Sequence, residues 1–420
     1  MIWLLLLISL INSSPPDDDF YNPPSNLSDY ALGEIIRSRQ SPHPITSMFI
    51  NPLPIVSSHQ LLIRSQDTFQ NPTAIITTIL IPPNPDPNKL ISHQPFENSA
   101  MQRCAPSYAM STPNFETFQI QTDLVFIAAM LSQGWYVNVP DHEGANSAFL
   151  AGIKAGYSVL DSIRGAQSFL KLKSRISNTT MTGKFRVGLF GYSGGGFSSI
   201  WASMLVSTYA PELNIVGLAG GGTIVNITLV METVDSGLYS GLIVNMLQGL
   251  SNEYGDFKEA LMKYGEIQPL HCLFPSAKEY FLQKIIGGVY DRDLLFDEII
   301  RKKIMENDLI SSLLVPSVPV FLFHSRIDEM SPFEEVLKLK EYWCSRNVSL
   351  ELAEDMSYNH MVGAYMGAPA AITWLEQRLN GSLVSGCIHE FRLTNLGYPG
   401  VVPTLRTFFE RTLQLFQRQS

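Results

Sequence analysis

The chain has only four cysteines in 420 residues, at positions 104, 272, 344 and 387. None forms a CxxC pair or a metal-finger spacing, which excludes a cysteine-held metal site. Charge is also sparse: 16% of residues are Asp, Glu, Lys or Arg, and the net charge is −9. No basic stripe is available to track phosphates, so nucleic acid is excluded as a partner. Beyond the first residues no segment reaches about 18 uninterrupted apolar residues, so no transmembrane segment is expected. No internal repeat is visible. What remains is a chain with 45% hydrophobic residues, long enough for one large domain with insertions or for two domains.

The N-terminus, MIWLLLLISLINSSPP, carries an apolar run of about nine residues from Trp3 to Ile11. That length suits a secretory signal rather than a membrane span, so residues 1–14 read as a signal peptide and the mature protein as secreted. Sequons beginning at Asn26, Asn178, Asn226, Asn347 and Asn380 are candidate N-glycosylation sites on such a route. In an exported chain the four cysteines read as two disulfides, with three connectivities open.

Residues 15–50, rich in Pro, Asp, Asn and Ser, read as an extended N-terminal arm. From 51 to 224 strand and helix signals alternate. PIVSSHQLLIRSQD and TAIITTILIP are rich in β-branched residues, TDLVFIAAMLSQG has helical spacing, WYVNVPD reads as a strand and YSVLDSIRGAQSFLKL as a helix. FRVGLFG (strand), GFSSIWASMLVSTYA (helix) and NIVGLAGG (strand) follow. Residues 225–314 keep helical periodicity without strong strands and read as a helical cap insertion. Alternation resumes over 315–383, and 384–420 reads as a C-terminal extension. This order predicts an α/β fold with a mainly parallel sheet, functional loops lying at the carboxyl ends of the strands.

Gly191-Tyr192-Ser193-Gly194-Gly195 fits G-x-S-x-G, with a strand before it and a helix after it. Such a turn exposes the hydroxyl at a helix N-terminus, where backbone NH groups favour a developing oxyanion; the other reading is a glycine-rich turn without chemistry. A serine nucleophile needs a histidine base and an acid to orient it, in the chain order Ser, acid, His. Four histidines follow Ser193. His271 lies in the insertion, His324 within a strand and His389 in the tail, whereas His360 falls in a loop between a late strand and a helix. Asp328, just after the strand PVFLFHS, is the acid candidate, with Glu329, Glu354 and Asp355 as competitors. Asp141 and Glu143 read as carboxylates that bond loop backbone near the triad, rather than as a paired acid/base site.

Together with this elbow, WYVNVPDHEGANSAFLAGIKAGYSVLDSIRG, CAPSYAM, LAGGGTIVNITLV, GLSNEY, DEMSP and YWCS resemble the fungal secretory lipases of the lipase A type, from about Pro54 to Leu379. The resemblance implies an α/β-hydrolase fold, a helical cap over an acyl pocket, and triacylglycerol hydrolysis at an oil–water interface. It also implies a monomer with no cofactor and no metal. Its triad motifs fall on Ser193, Asp328 and His360. Its cysteines imply the pairs Cys104 with Cys272 and Cys344 with Cys387. Its oxyanion hole implies the backbone NH groups of Gly194 and Asn98, where the family usually has Asp in place of Asn98. Two further departures are Asn359, where glycine is common, and a third glycine after Ser193. The competing functions are a carboxylesterase or acyltransferase of the same fold and, from another class, an inert secreted binding protein.

Overall fold

The computed structural model describes residues 15–47, 53–176 and 183–419; residues 1–14 and Asn178 lie outside them. Ten strands form one sheet: β1 (Ile35–Gln40), β2 (Ser57–Gln66), β3 (Pro72–Ile81), β4 (Lys89–Gln94), β5 (Tyr136–Pro140), β6 (Arg186–Tyr192), β7 (Ile215–Gly221), β8 (Val320–Ser325), β9 (Leu350–Asp355) and β10 (Cys387–Phe391). Their spatial order is β1-β2-β3-β5-β4-β6-β7-β8-β9-β10. The first three pairings are antiparallel, and every pairing from β5 to β10 is parallel. β8 and β9 are buried along their whole length, as expected for parallel strands covered on both faces.

The helices are α1 (Pro106–Ala109), α2 (Phe118–Ser132), α3 (Gly152–Ile176), α4 (Gly194–Tyr209), α5 (Ile227–Val234), α6 (Gly241–Glu253), α7 (Gly255–Leu261), α8 (Leu273–Glu279), α9 (Glu298–Asn307), α10 (Phe333–Ser345), α11 (His360–Leu379) and α12 (Pro403–Gln419). This is the α/β-hydrolase arrangement. α3 and α4 pack on each other, and α11 packs on β6, β7 and β8 and against α12. The five helices α5 to α9 all fall between β7 and β8, in the stretch read as a helical insertion. They rest on the core through polar anchors as well as apolar ones. Asn245 Nδ2 donates to the Asn98 carbonyl (2.9 Å) and Asn252 Nδ2 to the Asn146 carbonyl (2.8 Å). Lys154 of α3 and Glu253 of α6 form a buried ion pair at 3.0 Å.

The two ends of the chain are more integrated than their composition suggests. The arm supplies edge strand β1, paired with β2. The C-terminal segment supplies β10, paired with β9, and then α12. A disulfide joins Cys344 of α10 to Cys387 of β10, with Cα atoms 5.8 Å apart, and a second joins Cys104 to Cys272, the residue that precedes α8 in the cap (5.5 Å). No helix among the described residues is long and apolar enough to cross a membrane.

Candidate active site

β6 runs into α4 with only Ser193 between them, and the turn forces Ser193 to φ 54° and ψ −123°. A non-glycine residue holds such a conformation only where its surroundings over-determine it. Here the Ser193 NH donates to the Gly221 carbonyl (2.8 Å) and its own carbonyl accepts from the Phe197 NH (2.9 Å). The flanking glycines are required by space. A Cβ on Gly191 would collide with the Gly195 carbonyl, and one on Gly195 with the Gln94 carbonyl. Ser193 thus stands at the N-terminus of a 16-residue helix, only 5% exposed.

His360 Nδ1 lies 2.7 Å from Asp328 Oδ2. The other Asp328 oxygen accepts from the NH groups of Met330 (2.9 Å) and Ser331 (2.8 Å). Burial pushes this carboxyl up, but the charge and hydrogen bond of His360, with help from His324 and the Ser331 NH, outweigh it and hold the pKa at about 2. Burial lowers the His360 pKa, and Asp328 together with Glu329 more than reverses this, so it stands above its ordinary 6.5. His360 Nε2 is buried and has no hydrogen-bond partner. The imidazole lies against Tyr192, with ring centroids 5.0 Å apart. Asp328 and His360 are therefore in direct contact, and Ser193 follows the very residue on which the imidazole packs.

The competing groups make other bonds. Glu329 Oε2 accepts from the His360 backbone NH (2.7 Å), Asp355 from the Ser357 NH (3.0 Å), and Glu354 binds Arg326 and His389. His324 Nε2 bonds to the Ser331 carbonyl (2.8 Å), and the His271 carbonyl accepts from Ser99 Oγ (3.0 Å). The sequence reading put His360 in a loop; it is instead the first residue of α11, whose N-cap is Asn359, accepting from the Val362 NH (2.8 Å). Pro369 suggests a helix start but lies within α11. Two positioning contacts have no sequence signal: the one from Glu329, and the Tyr192 hydroxyl, which donates to the His360 carbonyl (2.6 Å).

The oxyanion loop departs from expectation in one atom. The backbone NH of Asn98 donates to Glu143 Oε1 (3.1 Å) and so is already engaged. It is the Asn98 side chain that abuts Gly194: a Cβ there would collide with Oδ1, an atom that is buried and unpartnered. Behind this loop lie three buried carboxyls. Asp141 accepts from both the NH (2.8 Å) and the Oγ (2.6 Å) of Ser107, and burial raises its pKa to about 7. Burial also lifts Glu143 well above its ordinary range. The same holds for Glu97, where the Glu143 and Asp141 charges add to the effect. His142, between Asp141 and Glu143, spans the Pro95 carbonyl and Ser198 Oγ (2.8 and 2.9 Å), and burial lowers it to about 4.

An apolar cavity of about 320 Å³ lies between α2, α8, α11 and α12; neither Ser193 nor His360 lines it. Among the described residues no group of three or more His, Cys, Asp or Glu could hold a metal ion. Of the sequon asparagines, Asn26, Asn347 and Asn380 are exposed. Asn226 is half-buried and caps α5, accepting from the Leu229 NH (3.0 Å).

Residues 110–386 match the family model described as secretory lipase. The chain is 54% identical to Lipase 7 of Candida albicans, covering 99% of this chain and 97% of that protein. It is 37% identical to Lipase 5 of the same organism, covering 99% and 93%. Among solved structures it is similar to Candida antarctica lipase A, with a TM-score of 0.84 at 26% identity over 96% of this chain and 95% of that one.

Proposed function

The chain belongs to the secretory lipase family, and on that premise we propose that it is a secreted enzyme that hydrolyses the carboxylic ester bonds of acylglycerols through a Ser193–His360–Asp328 triad. The observation that carries the reading is the Asp328–His360 pair at 2.7 Å, whose Nε2 is buried and unpartnered and whose ring packs on Tyr192, the residue before Ser193. Ser193 Oγ attacks the ester carbonyl carbon while His360 Nε2 takes its proton, and Asp328 holds the imidazole in the required tautomer. The tetrahedral oxyanion is met by the Gly194 NH, unpaired at the first helical position. Rotating the Asn98 amide half a turn puts Nδ2 where Oδ1 now stands, and this side chain, not its backbone, supplies the second donor. The imidazolium then protonates the departing alkoxide, leaving an acyl-Ser193 ester. Water attacks that ester with His360 again as base, releasing the fatty acid and restoring Ser193.

Secretion rests on the apolar leader at 1–14 and on the family, and the exposed Asn26, Asn347 and Asn380 are the sequons open to glycan attachment. Ser193→Ala should abolish hydrolysis of emulsified tributyrin and labelling by a fluorophosphonate probe while the folded protein is still exported. Retained hydrolysis in that variant would remove Ser193 from the mechanism.

A further inference from the structure

Asn98 has a backbone conformation that must be held in place. Its φ of 50° lies in the left-handed region, which asparagine enters more readily than most residues but which surrounding contacts still have to stabilise. Both of its backbone polar groups are taken by side chains from distant parts of the chain. Its NH donates to Glu143 Oε1, in the loop after β5 (3.1 Å), and its carbonyl accepts from Nδ2 of Asn245, on cap helix α6 (2.9 Å). Asn98 and Asn245 are only 2% and 1% exposed, so bulk water does not compete for these bonds.

Asn245 shares one face of α6 with Gly249 and Asn252, at the spacing of four and then three residues that aligns positions along a helix. A Cβ on Gly249 would fall 2.5 Å from the Phe149 carbonyl oxygen, so the helix backbone lies directly on Phe149. Asn252 Nδ2 donates to the Ala100 carbonyl (3.1 Å) as well as to that of Asn146. Asn98 and Phe149 meet again at Gly194, where a Cβ would fall 2.0 Å from Asn98 Oδ1 and 2.9 Å from Phe149 Cε2. One face of a cap helix therefore rests on both groups that flank Gly194, the residue after Ser193.

We propose that Asn245 is a positioning residue: from the cap it fixes the backbone of Asn98, and through it the side-chain amide that meets the oxyanion beside the Gly194 NH. The inference rests on the hydrolase reading above and on the Asn98 side chain as second donor, and it adds a cap helix to the parts that build the site. Oxyanion donors act only when held where charge develops, so a small displacement of the amide is felt in the rate rather than in substrate binding. Without Asn245 the Asn98 carbonyl loses this donor, while the bond from its NH to Glu143 remains.

The test is a double-mutant cycle on the purified full chain, with p-nitrophenyl butyrate below its solubility limit as substrate. Asn245→Leu and Asn245→Ala both remove the donor, and circular dichroism with thermal melting identifies which of them is folded. In the folded variant kcat should fall roughly tenfold, the size of one hydrogen bond, with KM held within about twofold. Combined with Asn98→Leu, which has no side-chain donor left to place, the same substitution should lower kcat by less than about twofold further. An equal loss in both backgrounds would give Asn245 a purely structural role in seating the cap, and an unchanged kcat in the folded single variant would give it no role; either result overturns the proposal. Asn98→Leu at full activity would remove the donor that Asn245 is said to place, and the inference with it. An unsubstituted chain that leaves the ester intact would overturn the hydrolase reading itself, and with it this inference.

Discussion

Asp328 and Glu97 are both buried carboxyls in loops around Ser193, at 8% and 1% exposure, yet they are held in opposite states. Asp328 has a partner for each oxygen, two backbone NH groups on one and His360 on the other, and stays ionised down to about pH 2. Glu97 has no hydrogen-bond partner on either oxygen and faces the Glu143 and Asp141 carboxyls, which drives it toward its neutral form. Burial acts on both in the same direction. Donors and a counter-charge decide the outcome, so the same residue chemistry favours the charged form beside His360 and the neutral form beside Asn98.

The largest effect comes from breaking the ionised member. Asp328→Asn should lower kcat by about 10⁴-fold, because the imidazole loses the acceptor that fixes its tautomer. The same change should move the acid limb of kcat/KM. The base works only when neutral, and its pKa stands above 6.5 largely through Asp328. Activity of the unsubstituted enzyme is therefore lost as the pH falls through a value above 6.5, and in Asp328→Asn the limb should lie at lower pH. A pH–rate profile reads both effects, and a limb that stays in place would separate Asp328 from the base.

Next in size is Asn98, whose backbone NH is held by Glu143. Asn98→Leu removes the side-chain donor while leaving the backbone NH on Glu143, and should lower kcat about 10²- to 10³-fold. Steady-state kinetics on a soluble butyrate ester decides between side chain and backbone as donor, since a backbone donor predicts little change.

The smallest effect is on stability. A carboxyl raised by folding contributes stability below its unfolded pKa, near 4.5 for Glu97, and loses it as the pH rises through the folded value. Glu97→Gln fixes the uncharged shape, so the two proteins should melt together near pH 4 and the variant should melt higher at pH 8. The gain is about 1.4 kcal/mol for each pKa unit that burial adds. Parallel melting curves at both pH values would mean that Glu97 is not driven neutral.

The mainly parallel sheet and the Ser193 turn were legible because they are written in local pattern: β-branched runs, helical spacing, and glycines two residues either side of a serine. What escaped was written in tertiary contact. β4 carries buried Ser92, His93 and Gln94, so it lacks an apolar run and becomes a strand only between β5 and β6. β10 is exposed along its length and exists by pairing with β9. α11 extends back past Pro369 to the base because Asn359 caps it there. The engagement of the Asn98 NH by Glu143 joins residues 45 positions apart, and no spacing rule anticipates it.

The hydroxyl of Tyr192, bonded to the carbonyl of His360 across 168 positions of chain, has a consequence for how this architecture can diverge. Tyr192, the residue before Ser193, grips the backbone of His360 directly, and that grip passes through no part of α5 to α9. Descendants of such a chain can lengthen, shorten or reshape the intervening cap, and so change which substrates are admitted, while Ser193 and His360, the pair proposed to exchange the proton, stay in register.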